Sequence, residues 1–114
     1  MVNVKILIVD DEADSCMILQ NYFEDKGFQV FVAFTLNEAM DLLEAKRPDI
    51  LLLDNNLPDG EGWLNLKDIV EKYPEMKINL ISAYGARPEL WRQWPGVKFW
   101  EKPISKKELD QLII

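Results

Sequence analysis

The chemistry open to this sequence rests on Asp10, Asp11, Asp54, Ser82 and Lys102, each of which ends or closely follows an apolar run. Residues 4–9 (VKILIV) stop at Asp10-Asp11, and residues 50–53 (ILLL) stop at Asp54 within DILLLDNNLPDG. Residues 77–81 (KINLI) stop at Ser82, and residues 97–100 (VKFW) lead into Lys102-Pro103. Singly, each has an ordinary structural use: Asp10 and Asp11 as helix caps, Asp54 and Ser82 as turn residues, Lys102 as a solvated charge. Together they describe a site. Neighbouring carboxylates raise one another's pKa unless a cation neutralises them. An all-oxygen donor set without Cys or His suits a hard divalent ion, Mg²⁺ or Mn²⁺. With such an ion screening an incoming phosphoryl group, Asp54 can attack phosphorus. Lys102 can then neutralise one oxygen of the acyl phosphate, and the Ser82 hydroxyl can donate to another.

For these residues to meet, the runs that carry them must be strands of one sheet. Residues 4–9, 28–33, 50–53, 77–81 and 97–100 have the apolar, β-branched character of strands. Helical spacing fills the gaps between them. Ala13, Cys16, Met17, Leu19, Gln20 and Phe23 predict a first helix stopped by Lys26-Gly27. Thr35 with Glu38 predicts a capping box on a second, with Ala39, Leu42 and Leu43 facing the core and Pro48 closing it. Trp63, Leu66, Ile69 and Val70 predict a third over about 62–73, before Pro74, and residues 106–113 a final short helix. Strands alternating with helices imply right-handed crossovers and a parallel sheet covered on both faces. The expected fold is α/β: a doubly wound, five-stranded sheet of flavodoxin-like order 2-1-3-4-5, whose ligands bind at the carboxyl ends of the strands. The Asn-Pro-Gly segment after Asp54 keeps the next helix from covering it.

Bulk properties narrow the function further. A chain of 114 residues is one domain, and 48% hydrophobic with 29% charged residues is a globular balance rather than a disordered one. A net charge of −7 argues against general affinity for nucleic acid or anionic membrane surfaces. No apolar run has the length of a membrane span, and no charged-then-apolar leader opens the chain. The lone cysteine, Cys16, permits no internal disulfide, fits a cytoplasmic setting and falls where a small buried hydrophobe is expected. The absence of histidine excludes a histidine base, nucleophile or metal ligand from this chain. The abrupt end on Leu112-Ile113-Ile114 leads to the expectation that 1–114 is a domain cut from a longer chain.

These residues resemble the receiver domain of bacterial two-component response regulators, of CheY-like fold, over essentially the whole chain. Asp10 and Asp11 match the acidic pair, and Asp54 in LLLDNNLPDGEG matches the phosphoaccepting aspartate, with Pro58 and Gly62 at the family's offsets. Ser82-Ala83 in NLISAYG resembles the switch hydroxyl and its small neighbour. Lys102-Pro103 in FWEKPI matches the lysine and following proline, which the family usually joins by a cis bond. Phe99 falls at the switch aromatic. The resemblance implies a metal held by Asp11, Asp54 and the Asn56 carbonyl, with Asp10 acting through water. It implies catalysis only of the domain's own phosphorylation and dephosphorylation. The donor would be a sensor histidine kinase or a histidine phosphotransfer protein, an output domain could be attached covalently, and Asn56 and Tyr84 would tune the phosphoryl lifetime. On phosphorylation, Ser82 would be drawn to the phosphoryl group and Phe99 would rotate inward.

Between Ser82 and Lys102 the sequence is about two residues shorter than the family pattern. Pro88 can start a helix that Trp94-Pro95-Gly96 soon stops, so a shortened fourth helix is expected. Trp91, Trp94 and Trp100 crowd this part of the sequence, either packing over the short helix or forming a docking patch. Two other functions stay open. A pseudo-receiver would bind partners without phosphorylation. A phosphatase of the haloacid-dehalogenase type would place a second acid where Asn56 stands.

Overall fold

In the computed structural model, which describes residues 4–83 and 94–113, the apolar runs become strands because β-branched and leucine side chains fill both sides of a sheet. In chain order these are β1 (Lys5–Val9), α1 (Ala13–Asp25), β2 (Gln29–Ala33), α2 (Leu36–Lys46) and β3 (Ile50–Asp54). A hairpin of β4 (Asn56–Leu57) and β5 (Gly60–Glu61) follows, then a 3₁₀ turn (Gly62–Asn65), α3 (Leu66–Lys72), β6 (Lys77–Ser82), β7 (Val97–Glu101) and α4 (Lys106–Leu112). The main sheet runs β2-β1-β3-β6-β7, every pair parallel. With the two-residue hairpin strands set aside, this is the expected 2-1-3-4-5 order. β3 is buried along its whole length, as a strand covered on both faces must be.

Alternation along the strands divides the core between the two faces. Leu7, Val9, Leu51, Leu53, Ile78 and Leu80 face α2 and α3, meeting Ala39, Leu43, Leu66 and Ile69. Ile6, Ile8, Ile50, Leu52 and Ile81 face α1 and α4, meeting Cys16, Phe23, Leu109 and Leu112. A polar side chain is also sunk in the middle of the sheet. Asn79 on β6 donates to the Leu51 carbonyl at 3.3 Å and accepts from the Trp100 indole at 2.9 Å, so its burial leaves no polar atom stranded.

Several local expectations need correction. Met17 does not face the core and is 61% exposed. The buried stripe of α1 is the i, i+3, i+7 series Cys16, Leu19, Phe23, and Met17 stands about 100° around the helix from Cys16. The helix expected over 62–73 is split into a 3₁₀ turn and α3. Its first amides are drawn back onto the preceding loop, Gly62 donating to the Asn55 carbonyl at 2.9 Å and Trp63 to Asn55 Oδ1 at 3.2 Å. On α2, Thr35 accepts from the Glu38 amide as expected, but the Glu38 carboxylate reaches the Phe34 amide instead of that of Thr35. The short helix expected after Pro88, together with Trp91 and Tyr84, lies outside the described residues.

Gly62 brings this packing up against the strand that ends in Asp54. A Cβ there would stand 2.6 Å from the Asp54 carbonyl oxygen and 2.9 Å from Leu53 Cδ1. Gly62→Ala is therefore expected to destabilise the fold by about 1–3 kcal/mol in urea unfolding, the cost of overpacking against backbone that cannot yield. Unchanged stability would show that this contact is not tight.

Candidate functional site

β1 and β3 are adjacent, with Val9 paired to Leu53, so Asp10 and Asp54 emerge side by side at the carboxyl edge of the sheet. Both are withdrawn from solvent, at 2% and 5% exposure. Lys102 reaches them from the far side of the sheet edge. Its ammonium donates to Asp10 Oδ2 at 2.8 Å and to Asp54 Oδ2 at 3.1 Å, and lies 3.8 Å from the Glu12 carboxylate. The two aspartates divide their oxygens alike. Asp10 Oδ1 accepts the Glu12 amide at 3.0 Å and Asp54 Oδ1 the Asn56 amide at 3.4 Å, each two residues ahead. That leaves both Oδ2 atoms to one shared cation.

Electrostatics follow from this arrangement. Burial pushes the Asp54 carboxyl above the ordinary aspartate value, outweighing the opposing pull of the Lys102 charge and hydrogen bond. Burial works to lower the Lys102 ammonium, yet the hydrogen bond to Asp10 and the charge of Asp54 prevail and raise it. Lys102 is thus a fixed positive charge at any physiological pH.

Backbone geometry aims that lysine. β6 and β7 pair Ser82 with Glu101, and the Lys102 amide donates to the Ser82 carbonyl at 2.8 Å. The Lys102–Pro103 bond is cis. Ser82 is buried at the end of β6, so the hydroxyl and the ammonium arrive on strand ends tied to each other.

Asp11 is exposed, and its carboxylate gathers with those of Asp10 and Glu12, one oxygen of each lying within 4.8 Å of the others. An all-carboxylate cluster of this kind fits a hard cation such as Mg²⁺. Glu12 escapes the sequence reading, although the run Asp10-Asp11-Glu12 carries the signal. Asp54 stands outside this group, bridged to Asp10 through Lys102. Asn56 is exposed at the start of β4, beside Asp54 through its amide.

Phe99 on β7 turns to the α2–α3 face, its ring 5.7 Å from that of Trp63 in an edge-to-face contact. Trp63 in turn donates its indole N–H to the Leu53 carbonyl at 3.3 Å, one residue before Asp54. No spacing in the sequence announces this link. Trp94 packs on the α2–α3 face and Trp100 on the α1–α4 face, so these two do not share a patch, while Trp91 is outside the described residues. Cys16 is buried and donates to the Asp10 carbonyl at 3.3 Å, and burial, with the nearby Asp10, pushes its thiol up to about 11. It is an inert packing residue, as expected.

Comparison with known proteins follows the same lines. A family model of the response regulator receiver domain matches residues 6–114. A response regulator receiver domain protein (CheY-like) from Methanospirillum hungatei is similar at 28% identity and a TM-score of 0.88, over 98% of this chain and 91% of that one. The non-phosphorylated HemR receiver domain from Leptospira biflexa is similar at 27% identity and a TM-score of 0.84, over 97% and 91%. NtrX from Brucella abortus, in complex with ATP, matches at 27% identity and a TM-score of 0.77, over 98% of this chain but 25% of that chain.

A raised carboxyl in the folded state means that ionising Asp54 costs stability as pH rises from the unfolded value of 3.8 through the higher folded one. Above that window the cost is fully present, and below it both states are protonated and the cost vanishes. Asp54→Asn should therefore raise Tm at pH 7 by about 3–5 °C in metal-free buffer, with the gain shrinking toward zero below about pH 4. A variant less stable than wild type at pH 7 would contradict this.

Proposed function

This chain belongs to the response regulator receiver domain family of two-component signalling, and we propose that its own part is to accept a phosphoryl group on Asp54 and so switch a binding surface. The observation that carries this reading is the Lys102 ammonium shared by the buried Asp10 and Asp54 carboxylates at two adjacent strand ends. A structural ion pair needs one acid. Two acids on one lysine leave a nucleophile held in place beside a cation that can change partners.

Asp10, Asp11, Asp54 and the Asn56 carbonyl would hold Mg²⁺ or Mn²⁺, and the Glu12 carboxylate lies within the same acidic cluster. When bound, the ion supplies positive charge to the carboxylates and the phosphoryl oxygens. The rest is the work of this chain. An Asp54 carboxylate oxygen attacks phosphorus, the phosphorus–nitrogen bond of a phosphohistidine breaks, and its electron pair stays on the departing imidazole. The chain contains no histidine, so the donor is another molecule: a sensor histidine kinase or a histidine phosphotransfer protein. Lys102 then exchanges the Asp54 oxygen for a phosphoryl oxygen, and Ser82 moves to donate to another. Phe99 follows inward, leaving its contact with Trp63. The reaction is confined to the domain's own phosphorylation and dephosphorylation.

NtrX supports a further part of the reading, since there the matched fold occupies 25% of a longer chain. An output domain attached to this receiver is accordingly proposed. Among the described residues no helix is long and apolar enough to cross a membrane, and the proposed setting is the cytoplasm.

Incubation with acetyl phosphate and Mg²⁺, followed by intact-mass measurement, should add one phosphoryl group. Asp54→Asn should abolish the increment, and so should EDTA. Full labelling of Asp54→Asn would refute the assignment. Absence of labelling, with no change of tryptophan fluorescence on adding beryllofluoride, would favour the pseudo-receiver.

A further inference from the structure

The loop that leaves Asp54 is fastened at its far end to a helix that begins 18 residues earlier in the chain. In the hairpin after β3, Asn56 pairs with Glu61 and Leu57 with Gly60, leaving Pro58 and Asp59 at the tip. Gly60 takes a φ of +146°, a conformation that favours glycine. Two residue pairs cannot hold a hairpin by themselves, so its orientation must come from outside. Its base is fixed by the Gly62 and Trp63 amides on Asn55, and Leu57 is buried in the core. Its tip is fixed by Asp59, whose Oδ1 accepts the Leu36 amide at 2.7 Å and whose Oδ2 accepts the Asn37 amide at 2.9 Å.

Those two amides open α2 and have no partner within the helix. The helix's own cap, Thr35, serves the Glu38 amide instead. Asp59 therefore completes the start of α2 from a distant loop, with a bidentate, charge-assisted contact that the helix dipole strengthens. The amides of Leu36 and Asn37 hold its carboxyl below the usual aspartate range. At the other end of the same hairpin sits Asn56, whose amide meets Asp54 Oδ1.

Resting on the proposed function, we propose that Asp59 is a positioning residue of the phosphoacceptor site: by clamping the hairpin tip to α2 it sets where Asn56 stands relative to Asp54. The coupling is reciprocal, so occupancy of the site tightens the start of α2. The site then has a route to the α2 surface that does not pass through Ser82 or Phe99.

The test uses metal alone as the probe. Mg²⁺ is titrated against tryptophan fluorescence, and hydrogen exchange at the Leu36 and Asn37 amides is followed with and without Mg²⁺. In the wild type, Mg²⁺ should slow exchange at both amides. Asp59→Ala should abolish that slowing and raise the half-saturating Mg²⁺ about fivefold, the weight of a lost cap wholly transmitted to the site. Asp59→Asn, keeping one acceptor oxygen, should fall between. Thr35→Ala cuts the cap at the same helix start without touching the hairpin, and should speed exchange there while leaving the Mg²⁺ midpoint unchanged. An unchanged midpoint in Asp59→Ala, or an equal shift in Thr35→Ala, overturns the inference and leaves the proposed function standing. A wild-type chain that takes up no Mg²⁺ overturns both.

Discussion

Two carboxylates buried side by side must share one counter-charge, and the remainder of the site is arranged around that requirement. Parallel pairing of β1 and β3 fixes the spacing of Asp10 and Asp54 as rigidly as any backbone hydrogen bond. Two like charges 4 Å apart repel by roughly 4 kcal/mol at the effective dielectric of a protein edge, so a pair held this way calls for a counter-charge between its members. Lys102 offsets that repulsion by standing 2.8 and 3.1 Å from one oxygen of each. Its reach depends in turn on the hydrogen bond from its amide to Ser82, which ties the end of β7 to the end of β6.

Under the proposed function, the same sharing would give the domain its capacity to switch. Because each aspartate commits Oδ1 to a backbone amide and Oδ2 to the lysine, a change at Asp54 cannot stay local. The ammonium would redistribute, and the Asn56 amide and the hairpin behind it would feel the change. Two routes lead away from the site. One passes from the Leu53 carbonyl through the Trp63 indole to Phe99, and the other runs along the hairpin to Asp59 and the start of α2.

Much of this was legible in the sequence because it follows from chain order alone. Apolar runs separated by helical spacing determine a parallel sheet, and a parallel sheet delivers every strand's last residue to one edge. Asp10, Asp54, Ser82 and Lys102 could be placed there without knowing any distance. What the sequence withheld is long-range and polar. Asp59 sits 23 residues from Leu36, and Trp63 10 residues from Leu53. No periodicity encodes either contact. Helical spacing also cannot say where a helix tightens, so no periodicity marks the 3₁₀ turn at Gly62–Asn65, whose amides are drawn onto Asn55. Proximity in sequence does not decide which face a tryptophan covers, since alternation along a strand and the packing of its approach send Trp94 and Trp100 to opposite faces.

The central claim is that Lys102 is held by Asp54 and Asp10 jointly, and a double-mutant cycle tests it most directly. Unfolding free energies of the wild type, Lys102→Met, Asp54→Asn and the double variant are compared at pH 7 in metal-free buffer. The account predicts a coupling of about 1–3 kcal/mol, with Lys102→Met costing much less once Asp54 is neutral. Effects that add to within about 0.5 kcal/mol would contradict it, because Lys102 and Asp54 would then be neighbours without being partners.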